Sequence, residues 1–288
     1  MANLRDIKRR IKSVRNTSQI TKAMQMVASA KMRRAQDLAI QGRSYMSSLA
    51  RVLKHLQETI TGSAASLMET RDTGKELIIV VSTDRGLCGG LNSNLLREVL
   101  ISCPQEADYV TIGTKLNSQL TRCGRRLAAT FAIGETVEEP ELKPIFDFVR
   151  KSYMDGTYKS VRVVYQKFIN IMVQRPQITS LLPITTEELL KVAEENEQED
   201  DNISNFLLEP SPKALLNSIL PLYFGHLLVQ MILEGKASEH SARMVAMKAA
   251  TENAKTLIGE LTLEYNKARQ TQITNELLEI TTAMKAME

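Results

Sequence analysis

Residues 82–92 read STDRGLCGGLN, with an apolar run before them and a helix-like pattern, SNLLREVLI, after them. Glycines in that position could build a phosphate cradle. Backbone N–H groups at a helix N-terminus face an anion, and the missing Cβ lets it approach. Gly86, Gly89 and Gly90 do not have the G-x-G-x-x-G spacing of a dinucleotide site. The last glycine precedes Leu91 and Asn92, where a phosphate-binding ATPase loop would place Lys and Ser or Thr. No acidic residue closes a clear second strand to hold a ribose. The loop therefore reads as a tight strand-to-helix turn, with anion binding as its alternative use. Asp84 and Arg85 are left to pair locally or with a partner.

Other reactive side chains are scattered. Cys88, Cys103 and Cys123 are odd in number and lack metal-ligand spacing, which suits a reducing compartment and three small buried residues. His55, His226 and His240 fall within helical patterns and read as packing or surface residues. No nucleophile elbow or paired carboxylate stands out, so no catalytic, cofactor-binding or metal-ligating residue is assigned. Residues 187–201 carry eight acids against Lys191 but lack the loop glycine of a calcium site, and read as a solvated linker. Residues 1–34 carry ten Lys/Arg against Asp6. Their positive side chains fall around much of a helix with no aromatics interleaved, so nucleic acid is not the expected partner. This arginine-rich start superficially suits a transit peptide, yet it runs without a break into a long helical segment and reads as mature protein. No run approaches the roughly 20 apolar residues that span a bilayer, so a soluble or peripheral chain is expected.

The elements that must position these residues fall into three parts. All eight prolines lie between Pro104 and Pro221, leaving both ends free of the strongest helix breaker. Residues 3 to 60 read as one helix, with Leu4, Ile7, Ile11 and Val14 in one stripe and Ala35, Leu38, Gly42, Tyr45, Leu49, Val52 and Leu56 in a second. Ser211 and Pro212 form an N-cap and first-turn proline, Pro221 should kink the helix that follows, and the pattern then runs to the end of the chain. Ala254, Ile258, Leu261, Tyr265 and Ala268 make one stripe there; Ile273, Leu277, Ile280, Met284 and Met287 make another. Helices this long, roughly 90–110 Å at about 1.5 Å per residue, exceed any compact domain of this size and should project. Helices at opposite chain ends can pair only antiparallel, and Ala28, Ser29 and Ala30 would meet Ala246, Ala249 and Ala250 where the approach is close. Between them, apolar β-branched runs at 77–81, 109–112 and 161–165, with weaker ones near 127–133 and 178–184, alternate with helical segments at 93–102, 114–123 and 141–154. That alternation predicts a small parallel-sheet α/β domain of Rossmann-like kind. The domain expectation is thus a coiled-coil helix at 1–60, an α/β domain at 75–205 and a second coiled-coil helix at 210–288.

Several of these stretches resemble one family. They are RDIKRRIKSVRNTSQITKAMQMVASAKMRRAQ at 5–36, STDRGLCGGLN at 82–92, EPSPKALL at 209–216 and ASEHSARMVAMKAATENA at 237–254, continuing to YNKARQTQITNELLEI at 265–280. Together they resemble the gamma subunit of F-type ATP synthase, the central rotor shaft. The resemblance implies a non-catalytic subunit whose helix pair stands inside a ring of three alpha and three beta subunits. The α/β domain would be the foot joining the epsilon subunit and the membrane c-ring. Rotation would then couple ion flow to ATP synthesis or hydrolysis. It further implies that Met24, Arg269 and Gln270 meet the acidic catch loop of the beta subunits. Ile280, Met284 and Met287 would turn in an apolar bearing, their alternative being helix-pair core. Asn205, Phe206, Leu207 and Leu208 would reach the c-ring or epsilon. The location implied is peripheral, on the cytoplasmic face of a bacterial plasma membrane. The chloroplast members' cysteine pair has no counterpart here, so thiol regulation is not expected.

Two other readings are weighed. A nucleotide-binding α/β enzyme predicts stoichiometric nucleotide on the isolated chain. A coiled-coil adaptor for nucleic acid or anionic membrane predicts strongly salt-dependent binding through residues 5–34.

Overall fold

A computed structural model describes residues 4–59, 67–134, 137, 139–185 and 211–287. In chain order the elements are α1 (Leu4–Thr59), β1 (Lys75–Val81), α2 (Leu91–Ser102), β2 (Asp108–Ile112), α3 (Asn117–Arg122), β3 (Arg126–Phe131), α4 (Glu139–Met154), β4 (Tyr158–Phe168), β5 (Gln174–Leu182) and α5 (Pro212–Met287). The chain separates into two compact units, one formed by Met1–Ser29 with Arg243–Glu288 and the other by Ala30–Ala242. The acidic stretch 187–201 lies outside the described residues.

The larger unit holds a five-stranded sheet of order β3-β2-β1-β4-β5. β1 pairs in parallel with β2 and β4, and β2 with β3. The expected parallel sheet is present, with one antiparallel edge where β5 runs against β4. Only residues 169–173 separate these two strands. A parallel return needs a crossover of a dozen residues or more, so this short link can only make a hairpin.

Apolar runs on the inner strands come from burial on both faces. Leu77, Ile79 and Val81 pack into a core shared with α1, α4 and α5, while Ile78 and Val80 face α2 and α3. In this unit α1 buries Ala35, Ala39, Met46, Ala50, Leu53 and Leu56. The expected stripe therefore needs correcting, since Leu38 and Tyr45 are 42% and 47% exposed. The helix turns its alanines inward because the neighbouring helix comes close: Gln230 donates to the Ala39 carbonyl at 3.1 Å, and a Cβ on Gly42 would lie 2.7 Å from the Gln230 amide oxygen. Tyr45 packs edge-on against His226, with ring centroids 4.6 Å apart.

α5 opens as its sequence specifies, with the Ser211 hydroxyl accepting the Ala214 N–H at 3.3 Å. It continues through Pro221 as one helix. Contrary to the sequence expectation, it contains an 18-residue window apolar enough for a membrane span, with mean hydropathy 1.5. Its apolar side chains, among them Leu216, Leu220, Tyr223, Phe224, Leu228 and Ile232, pack into the core of the sheet domain. A core helix meets the same apolarity test as a span. Cys88 and Cys103 are buried as expected, but Cys123 is exposed, because it sits at the outer end of the short helix α3.

The smaller unit is a pair of helical segments. The hydroxyls of Thr21 and Thr251 meet at 2.7 Å. Ile7, Leu261 and Glu264 line one small cavity of about 170 Å³. As α1 runs back from Thr21 to Ile7, α5 runs forward from Thr251 to Leu261, so the pair is antiparallel. The predicted stripe is inward here: Ala254 and Leu261 are buried, and Ile258, Tyr265 and Ala268 are half-buried. Of the small residues expected at the contact, Ala28 is buried and Ala246 and Ala250 are half-buried, whereas Ala30 and Ala249 face outward.

Candidate functional site

In an open α/β sheet a ligand enters the crevice at the carboxyl ends of the strands, where strand order reverses. Here that point lies between β1 and β4, and the glycine-rich loop follows β1. Several of the loop's polar atoms are engaged within the fold, while the buried Asn92 Oδ1 has no hydrogen-bond partner among the described residues. Thr83 donates its hydroxyl to the Arg85 carbonyl at 2.9 Å and accepts from Asn92 at 2.7 Å. Asp84 accepts the Thr114 N–H at 3.1 Å. Leu87 and Gly89 adopt positive φ, 63° and 60°, which turns the chain sharply into α2. Backbone at Gly113 passes so close to β1 that an added Cβ would lie 2.4 Å from the Ser82 carbonyl oxygen.

What fills the crevice is α5. Every residue from Met231 to His240 is buried, so over this stretch the helix is enclosed on all sides. Gly235 allows the approach: a Cβ there would sit 3.0 Å from Val81 Cγ1. Lys236 Nζ reaches Asp84 at 3.9 Å and the Ile133 carbonyl at 3.4 Å. Gln166 on β4 donates its side-chain amide to the Leu91 carbonyl at 2.9 Å, and its backbone carbonyl accepts the Ser238 hydroxyl at 2.9 Å. One turn earlier, Arg43 of α1 donates to Glu234 at 3.0 Å. A helix carrying Glu234 and Lys236 enters the core because each charge meets an opposite charge there. The place a nucleotide would take in such a fold is thus a socket for the helix.

The opposite end of the sheet gathers a second polar cluster. Buried Asp108 accepts the Tyr158 hydroxyl at 3.1 Å and lies 3.6 Å from Arg126 Nε and 3.9 Å from Lys75 Nζ. Burial first, and then the adjacent carboxylate, pushes Tyr158 up to about 12. Burial likewise pushes Tyr109 up to about 12; its hydroxyl donates to the Pro104 carbonyl at 2.6 Å. These groups join four strand starts, and their distance from the crevice makes them structural. Among the described residues, no cluster of His, Cys, Asp or Glu could hold a metal ion.

The residues singled out from sequence are not brought together. Met24 is half-buried on α1, and Arg269 and Gln270 are exposed on α5. Ile280, Met284 and Met287 are 57%, 66% and 90% exposed, so they are not core of the helix pair. Asn205, Phe206, Leu207 and Leu208 lie outside the described residues. The socket residues Glu234, Lys236, Ser238 and Gln166 were not anticipated. The available signal was LEGKASEHSAR, charges set among small residues in a long helix.

The ATP synthase family model matches residues 3–287. An ATP synthase gamma chain from Akkermansia muciniphila is 58% identical over the full length of both chains, and one from Methylacidiphilum infernorum is 43% identical over both. Among solved structures, a chain of the central stalk and c-ring of the Tetrahymena thermophila mitochondrial ATP synthase is 26% identical. It has a TM-score of 0.58 and covers 80% of this chain and 99% of its own. A chain of the Euglena gracilis mitochondrial enzyme (OSCP, F1 and c-ring, rotational state 3) has a TM-score of 0.68, with 99% and 94% covered. At 19% identity it speaks for the fold. The chain belongs to the ATP synthase gamma-chain family and works as a central-stalk rotor shaft, transmitting the rotation that couples ion flow to ATP synthesis or hydrolysis.

Proposed function

We propose that this chain works as a non-catalytic shaft inside a ring of three alpha and three beta subunits, with the sheet domain joined to epsilon and the c-ring. The observation that carries this reading is the change of environment along α5. The helix is enclosed from Met231 to His240 and exposed at every residue from Arg269 to Met287. A long helix held fast at one part and bare at another suits an element that receives force in one place and delivers it in another.

The finer assignments follow from chemistry. Met24, Arg269 and Gln270 serve as contacts for the beta subunits' acidic catch loop, since Arg269 and Gln270 offer exposed donors. Ile280, Met284 and Met287 form the bearing tip. Apolar contact is non-directional, so it resists turning less than a hydrogen bond, which favours one angle. Asn205, Phe206, Leu207 and Leu208 serve the c-ring or epsilon contact. The domain reading is a coiled-coil helix at 1–60, a foot at 75–205 and a second coiled-coil helix at 210–288, the stretches of the two helices that carry Leu53 and Leu228 packing into the core of the foot. The chain has a peripheral place on the cytoplasmic face of the plasma membrane, through the complex. The filled crevice supports the absence of a catalytic site.

The test is a mild pull-down of the tagged chain from its native membranes, with stoichiometry by mass spectrometry. One copy per three alpha and three beta subunits, with epsilon and c-ring present, is expected. Recovery without those subunits but with bound nucleotide would overturn the reading.

A further inference from the structure

The β4–β5 turn presents an apolar surface that the domain does not use. Ile169, Ile171, Met172 and Val173 are 50%, 44%, 74% and 37% exposed. Their backbone is fixed. The Asn170 side-chain oxygen accepts the N–H groups of Met172 and Val173 at 2.9 and 2.8 Å. Gln174 donates to the Asn170 and Ile171 carbonyls at 3.1 and 2.9 Å, and the Ser241 hydroxyl of α5 holds the Ile171 carbonyl at 2.7 Å. Four apolar side chains are thus held in water at no evident gain to this domain.

Charge identifies what should cover them. Residues 157–185 contain four Lys/Arg and no acid. Two of these, Lys159 and Arg162, pair with Glu76 at the far end of the strands. The other two, Lys167 and Arg175, stand directly opposite one another across the hairpin, beside the apolar turn. Like charges in that register repel, and neither has an acidic partner among the described residues.

We propose that the β4–β5 turn docks an acidic, apolar-bearing segment of another subunit of the complex, with Ile171 and Met172 filling an apolar contact and Lys167 and Arg175 taking its carboxylates. A lipid surface fits less well. Polybasic membrane sites use clusters of about four to eight cations, and a single short turn is a weak anchor by itself. The inference rests on the chain's working within the assembled synthase.

The test places photoreactive p-benzoylphenylalanine at position 172 in the assembled complex, with irradiation, digestion and peptide identification. The expected product joins position 172 to an Asp/Glu-rich segment of another subunit. Its yield should fall about tenfold with added salt, or when Lys167→Glu and Arg175→Glu are combined. Lys167→Gln with Arg175→Gln should give an intermediate loss and guards against misfolding of the reversed pair. A product with residues 187–201 of this chain, lipid adducts alone, no adduct, or a yield indifferent to charge would each overturn the proposal. Intact stoichiometry with any of those results fails this inference alone. Loss of stoichiometry in the unmodified complex fails the shaft reading as well.

Discussion

Lys236 and Asp84 face one another at 3.9 Å, joining a helix near the end of the chain to the loop after the first strand. The lysine also holds the Ile133 carbonyl at 3.4 Å. One residue before it, Gly235 brings α5 against Val81, and two before it Glu234 meets Arg43 of α1. Three segments remote in sequence are thus fixed to one stretch of helix, which suits a joint that must not slip when force passes through it.

The two sides of that ion pair should differ under mutation. Asp84→Asn leaves a buried ammonium facing an amide and a carbonyl, and should cost about 1–3 kcal/mol, the partial exposure of Asp84 moderating the loss. Lys236→Met removes the buried charge and keeps its aliphatic stem, so about half that cost is expected. Urea unfolding of the two variants decides the order; a costlier Lys236→Met would count against the geometry described.

Glycines in and beside the loop should separate by backbone surroundings. Gly113 has φ +93°, and its missing Cβ faces the Ser82 carbonyl at 2.4 Å. Gly113→Ala should therefore cost more than about 3 kcal/mol. Gly89 has φ +60° with nothing within 4 Å, so Gly89→Ala should cost only about 1–2 kcal/mol, the left-handed penalty alone. Thermal unfolding measures both. Near-equal losses would show that the turn is not built as described.

High pH should weaken the sheet domain. Tyr109 and Tyr158 are both pushed up to about 12 by burial, from an ordinary value of 10.0. A raised folded value contributes stability that is complete below about pH 10 and lost as pH rises towards about 12, because the unfolded chain gives up these protons first. Each tyrosine should account for about 2–3 kcal/mol over that window. Denaturant titrations between pH 8 and pH 11.5 should show the fall, and Tyr158→Phe should reduce it.

Charge on the shaft should alter coupling without unfolding the domain. Arg269→Glu, and separately Met24→Lys, should lower ion pumping per ATP hydrolysed by about fivefold, equivalent to about 1 kcal/mol of coupling free energy. The sheet domain's unfolding midpoint should not move. Unchanged coupling in both variants would remove these residues from the contact set.

The tip allows a cleaner separation of stability from rotation. Ile280 and Met284 are exposed within the chain, so Ile280→Asp with Met284→Asp should change its own stability by less than about 0.5 kcal/mol. Turnover of the assembled complex should nevertheless drop several-fold if these side chains run in an apolar collar. A single-molecule rotation assay reads this directly; free rotation at the normal rate would contradict the bearing role.

Local pattern alone determined a good deal of this protein. The run LIIVV, buried on both faces, announced an inner strand, Ser211 and Pro212 announced where α5 begins, and the spacing from Ala254 to Ala268 gave the inward face of the helix pair, because period and capping depend on near neighbours. The unmatched glycine spacing likewise argued for a turn over a phosphate cradle. Tertiary structure decided what depends on remote neighbours. Leu38 and Ala39 are equally plausible inward residues on an isolated helix, and only the approach of Gln230 turns the alanine in. β5 reads as one more strand, and its direction was settled by the few residues linking it to β4. Lys236 looks like a surface charge in a helix; its burial follows from Asp84, 152 positions away in a list of residues and 3.9 Å away in space, a pairing that no local period encodes.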